Sequence, residues 1–201
     1  MANKRFAVGC LAVVLVVLLL GAVYVTGVYN SLIGLDQKVQ AQWGQVENQY
    51  QRRADLVPNL VETVKGAAAF ERDTFTAVTE ARAKVGQVQV APGQLTPEAL
   101  SRFQQAQDGL SSALSRLLVV VEKYPELKAT EAFKELQAQL EGTENRISTE
   151  RMRFNEAAQA FNTRRNRFPA VLIAGFFGEK FRDKAFFKAQ PGAETPPQVK
   201  F

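Results

Sequence analysis

The 201-residue chain contains no histidine and only one cysteine, Cys10. Without histidine there is no general base for a Ser/His/Asp triad and no partner for a Cys/His pair. Imidazole-bearing zinc sites and the Glu-x-x-His pattern of di-iron helical bundles are excluded as well. One cysteine rules out a disulfide within a single chain, and its place in an apolar run leaves the redox compartment unread. Catalysis would have to run on carboxylates, Lys, Tyr or Ser, and no cofactor or metal is expected. Charge is missing too over one long stretch, because no charged residue occurs from Phe6 to Leu35.

That stretch is rich in Val and Leu from Phe6 to Tyr24. A helix needs roughly 20 apolar residues to cross the hydrocarbon of a bilayer, so a transmembrane helix is expected over residues 6–28. A cleaved signal peptide, with Val25-Thr26-Gly27 as a tolerable site, is the rival reading, but its apolar region would normally run about 7 to 15 residues. The lipobox-like Ala7-Val8-Gly9-Cys10 has no apolar region before it. Lys4, Arg5 and the free amine precede the span, and only Lys38 follows closely. This asymmetry predicts a cytoplasmic N-terminus over residues 1–5 and a bundle on the outer, periplasmic side of the inner membrane. A single domain follows over residues 29–189, then a Pro-rich flexible tail over 190–201.

Beyond the anchor the fold is expected to be all-α. Apolar residues from Leu32 through Val39, Trp43, Val46, Tyr50, Val57, Leu60 and Val64 to Phe75, Val78 and Val85 recur at helical steps and keep phase through Pro58. This favours one long first helix kinked at Pro58, the alternative being a true turn there and a four-helix up-and-down bundle. The segment from Gly86 to Pro97 reads as a loop, and Thr96-Pro97-Glu98 as the start of a second helix carrying Leu100, Phe103, Leu110, Leu114, Leu117 and Val121. After Tyr124-Pro125, a third helix places Phe133, Leu140, Ile147, Phe154, Phe161 and Phe168 at seven-residue steps, the seam of a supercoiled pair or bundle. Charged residues near that seam need partners. A polar network that sets helix register is expected among Arg52, Arg53, Asp55, Asn59, Glu71, Glu144, Arg151 and Asn155.

Several segments together resemble the LemA family. They are Tyr29-Asn30, the surroundings of Trp43, Gln51 to Leu60, Glu80-Ala81-Arg82, Glu122 to Leu127, Leu140 to Ile147, Arg153-Phe154-Asn155 and Phe168-Pro169. The resemblance spans nearly the whole chain in order. It implies a bacterial single-pass helical-bundle protein without established catalytic activity, whose relatives often accompany membrane proteases or TPM-domain proteins. The tyrosine that commonly precedes the asparagine near the end of the third helix is Phe154 here.

The net charge of +5 is concentrated at the C-terminal end, where residues 146–201 hold eleven basic against five acidic side chains. The apolar run Phe168 to Phe177, followed by Lys180, Phe181, Arg182 and Lys184, suits either an interfacial membrane segment or a short helix folded onto the bundle. A kink at Pro58 would carry this segment away from the anchor; four helices would bring it back. Phe176, Phe177, Lys180, Arg182 and the terminal Phe201 are therefore candidate membrane or partner contacts, with Val199-Lys200-Phe201 open to edge-strand capture. Three function classes follow. The first is a non-catalytic scaffold or adaptor that docks envelope proteins or copies of itself. The second is a carboxylate enzyme or metal-binding bundle built on Glu122, Glu126, Glu141 and Glu144. The third is anionic-lipid or nucleic-acid binding by the basic end, with nucleic acid disfavoured because no recognised motif accompanies the charge.

Overall fold

The computed structural model describes residues 2–65 and 72–188, with side chains from residue 9 onward. Glu71, Phe201, the Val199-Lys200-Phe201 motif and the tail from 190 lie outside the described residues. All regular structure among the described residues is helical.

Helix α1 (Ala2–Lys65) runs unbroken for 64 residues, about 96 Å at the α-helical rise. Its first part leaves the large apolar side chains from Leu11 to Val25 exposed, and it is long and apolar enough to cross a membrane. Burial begins at Val28 and continues along one stripe through Leu32, Val39, Trp43, Val46, Tyr50, Val57, Leu60 and Val64. Pro58 lies inside α1 on the exposed side. Lacking an N–H, it cannot donate to the carbonyl four residues earlier; the Nε of Arg82 on the next helix donates to Ala54 O instead, at 3.0 Å.

The expected single helix through Val85 is divided: α1 stops at Lys65, and α2 (Arg72–Gln87) returns alongside it, burying Phe75 and Val78. The reason is that apolar spacing records which residues face a core, and it does not register whether the chain between them continues or reverses. After a 3₁₀ turn at Pro92–Gln94, α3 (Pro97–Val121) starts with the Thr96 side chain accepting from Ala99 N at 3.1 Å. All six apolar residues expected to face inward from this helix are buried. One helical turn, α4 (Pro125–Lys128), leads to α5 (Glu131–Asn166), capped by Thr130. Phe133, Leu140, Ile147, Phe154 and Phe161 are buried on the expected seven-residue seam. Phe168 leaves the seam and is 76% exposed, because α5 ends at Asn166.

The result is an up-down-up-down bundle of α1, α2, α3 and α5. Pro58 does not reverse the chain, yet four helices still bring the C-terminal segment back beside the anchor. There α6 (Ala170–Phe176) and the 3₁₀ turn Gly178–Phe181 pack against the start of the α1 buried stripe, and residues 182–188 follow in non-helical conformation.

Candidate functional site: a buried arginine layer and a membrane-proximal clamp

Arg53 occupies the place in the α1 stripe where an apolar residue would continue it, and it is 1% exposed. One terminal nitrogen donates to Glu144 Oε1 at 2.6 Å and Ser111 Oγ at 2.7 Å. The other donates to Gln107 Oε1 at 2.6 Å and Gln107 O at 3.1 Å. The guanidinium also lies over the Tyr50 ring, 5.1 Å from its centroid. Burial pushes the Tyr50 phenol up, against the opposing pull of Arg151 and Arg53. One side chain thus joins α1, α3 and α5, and it does so between two apolar clusters. On one side lie Tyr50, Phe103 and Ile147; on the other, Val57, Leu110 and Leu140.

The network expected from the sequence is only partly drawn together. Arg53 meets Glu144, whereas Arg52, Asp55 and Asn59 are exposed, and the Asp55 carboxylate accepts from Gln51 one turn earlier. Gln107 and Ser111, which the sequence reading missed, supply most of the acceptors around Arg53. Their signal was available: both lie on the α3 face between Phe103 and Leu114, where an uncharged polar residue is anomalous.

Arg151 and Asn155 serve a different cluster, nearer the membrane end. The Asn155 side chain donates to Phe187 O at 3.1 Å and accepts from Phe187 N at 2.9 Å. Asn162 does the same for Lys184, donating to its carbonyl at 2.9 Å and accepting from its N–H at 2.7 Å. Arg151 donates to Lys188 O at 2.9 Å and lies over the Phe187 ring. A chain outside helix or sheet has unpaired backbone groups that need partners, and these amides provide them. The clamped residues then anchor by their side chains. Phe187 stacks on Trp43 at 6.1 Å and meets Phe154 edge-on at 5.3 Å. Lys184 pairs with Asp36 and lies over Phe161. Trp43 donates its indole N–H to Val90 O at 3.0 Å, which ties the loop before α3 to the same cluster.

The membrane-contact candidates lie just above the apolar span. Phe177 packs against Tyr29 with ring centroids 5.0 Å apart, Lys180 bonds the Tyr29 hydroxyl, and Arg164 donates to Ser31 Oγ at 3.2 Å. Arg182 pairs with Glu179. Phe176 is 87% exposed. Of the carboxylates weighed for catalysis, Glu141 and Glu144 line one shallow pocket between α3 and α5, and each is engaged by a neighbouring side chain. Glu122 is held by Lys128 at 2.6 Å, Glu141 by Gln137 and Glu144 by Arg53. Among the described residues, no three of His, Cys, Asp and Glu converge on a metal-sized space.

A family model described as the LemA family matches residues 42–201. The chain is similar to magnetosome proteins MamQ 1 and MamQ 2 of Paramagnetospirillum magneticum. Each is 27% identical over 187 residues, covering 84% of this chain and 67% of the relative. It is likewise 28% identical over 191 residues to magnetosome protein MamQ of Magnetospirillum gryphiswaldense, covering 85% of this chain and 70% of that protein. The family match takes in the arginine layer, the asparagine clamps and α6 together, and the chain belongs to the LemA family.

Proposed function

We propose that this protein is a single-pass, non-catalytic scaffold of the bacterial cell envelope, anchored in the cytoplasmic membrane with its bundle on the outer side and acting through protein–protein contacts. The observation that carries the reading is the continuity of α1. The helix leaves the apolar span and enters the bundle core without a linker, so bundle and anchor move as one rigid strut. Such coupling presents the bundle surface at a fixed height and angle, which suits a scaffold. The Arg53 layer suits the same role, since a buried polar or ionic group can fix helix register. The engagement of Glu122 by Lys128, Glu141 by Gln137 and Glu144 by Arg53 supports the non-catalytic reading. The relatives' name refers to a cellular structure and not to a reaction, in keeping with a scaffold. Partners of the expected class are envelope proteins, membrane proteases and TPM-domain proteins among them, or further copies of the chain.

Photo-crosslinking in native membranes tests this. The exposed Val119 on α3 and Met152 on α5 are replaced singly by a photoreactive residue. A discrete protein adduct should form at one face. It should weaken when a flexible Gly-Ser insertion between Thr26 and Gly27 uncouples the strut, while membrane retention is kept. Adduct formation indifferent to the insertion, or no protein adduct from either position, would overturn the proposal.

A further inference from the structure

Helix α6 is amphipathic in the sense opposite to that of a helix completing a soluble core. Its small residues face inward: Ala170 and Ala174 are fully buried beside Val28 and Leu32 of α1. Its large residues face outward, with Leu172 66% and Phe176 87% exposed, and Phe168, in the turn just before the helix, is 76% exposed. In water, an apolar face of this kind is costly, at roughly 25 cal/mol for each Å² left wet. Its position supplies a cover. The alanines let α6 approach α1 closely, just where the buried stripe starts and immediately after the exposed apolar surface of Leu11 to Val25 ends. The outward face of α6 is therefore level with the edge of the span and continuous with it. Basic groups border it, since Arg167 is exposed and Lys180 is held on Tyr29 at the same level.

We infer that α6 is a membrane foot: Phe168, Leu172 and Phe176 insert into the boundary between headgroups and acyl chains, with Arg167 and Lys180 against anionic lipid phosphates. The bundle then touches the bilayer at two points, the span and the foot, and two contacts fix the rotation of the strut about α1 where one leaves it free. This inference rests on reading the start of α1 as a membrane span, and the experiment separates the two.

The full-length protein is reconstituted in nanodiscs of phosphatidylcholine and phosphatidylglycerol and labelled with an environment-sensitive fluorophore at one of three sites. These are the native Cys10, Phe176→Cys in a Cys10→Ser background, and Met152→Cys in that background as an aqueous control. All three positions are exposed in the protein, so the labels leave the packing undisturbed. Cys10 lies about 6 Å inside the inner edge of the span, so lipids with a nitroxide in the upper half of the acyl chain should quench its label, and lipids with a shallow nitroxide should quench the label at 176. Both labels should resist aqueous iodide, which should quench only the label at 152. Arg167→Gln with Lys180→Gln should reduce shallow quenching at 176 most when phosphatidylglycerol is present. If Cys10 escapes lipid quenching, the span reading fails. If Cys10 is quenched while the label at 176 responds to iodide, the foot is refuted with the span intact. Protection at 176 from both iodide and lipid nitroxide would mean a protein covers this face, which also refutes it.

Discussion

The two halves of the bundle solve the same packing problem with different materials. The membrane-distal half, where α1, α2, α3 and the start of α5 meet, is built mainly from Val and Leu, with Phe75 and Phe133 its only fully buried aromatics among the described residues. The membrane-proximal half buries Trp43, Tyr50, Phe103, Phe154, Phe161, Phe181 and Phe187. Four parallel or antiparallel helices interlock with leucine-sized knobs and satisfy their own backbones. Once α2 and α3 have ended, the proximal half must complete its core with a short helix and a non-helical segment. Large flat rings then fill the irregular space, and side-chain amides satisfy the exposed backbone. Irregular structure here costs polar clamps and aromatic volume that regular helices do not need.

The largest effect that would sharpen this contrast is expected at the layer between the halves. Glu144→Ala leaves a buried guanidinium with only neutral acceptors; because Glu144 is itself 44% exposed, the loss should sit near the low end for broken buried pairs, about 3 kcal/mol. Denaturant unfolding in detergent should show a lower midpoint in one transition, because α1, α3 and α5 cross both halves. Replacing the pair together, Arg53→Met with Glu144→Leu, should cost less than the single change. Next in size, Asn155→Ala removes two hydrogen bonds to Phe187 and should cost about 2 kcal/mol. Its signature is regional: amide exchange should accelerate at Lys184 and Phe187 and stay unchanged in α2. Accelerated exchange throughout the bundle would break the division into halves.

A smaller effect belongs to the distal half. Arg82→Met strips the Ala54 carbonyl of its donor and should cost about 1 kcal/mol. In a Pro58→Ala background, where residue 58 regains its own N–H, the same change should cost close to nothing. An equal cost in both backgrounds would show that Arg82 does not compensate for the proline. The smallest effect concerns Glu47, whose carboxyl is pushed up by burial, with a weaker opposing pull from the nearby Trp43 indole N–H. The folded state therefore holds this proton more tightly than the unfolded chain, and stability declines as pH rises from the ordinary carboxylate range through the raised folded value. Glu47→Gln should remove that part of the decline, visible as a flatter midpoint against pH.

Much of this architecture was legible in the spacing of apolar residues. Thr96 and Pro97 marked the start of α3, and the seven-residue series from Phe133 to Phe161 gave the buried edge of α5, because both signals are local. The reversal after Lys65 was harder to see. The stripe kept its phase across it, and the available clue was Gly66, which follows a basic residue at a point where a helix often ends. Arg53 and Glu144 were identifiable as charges near a seam. Their uncharged companions Gln107 and Ser111 gave a fainter signal, carried only by their place on the α3 face between Phe103 and Leu114 and not by a charge that demands a partner. Asn155 was assigned to the wrong neighbourhood for a similar reason: its partner is the backbone of Phe187, and backbone leaves no trace in residue type.

The asparagine clamps make α5 a ruler. Seven residues of α-helix advance about 10.5 Å, and three residues of extended chain advance about 9 to 10 Å, so Asn155 and Asn162 grip the chain at Phe187 and Lys184 in step. A slide by one residue would throw both grips out of phase at once, although neither reads a side chain. Phe186, exposed between the graduations, is thus free to vary in identity, whereas Ala185, which packs against the core, and the spacing of the two asparagines are not.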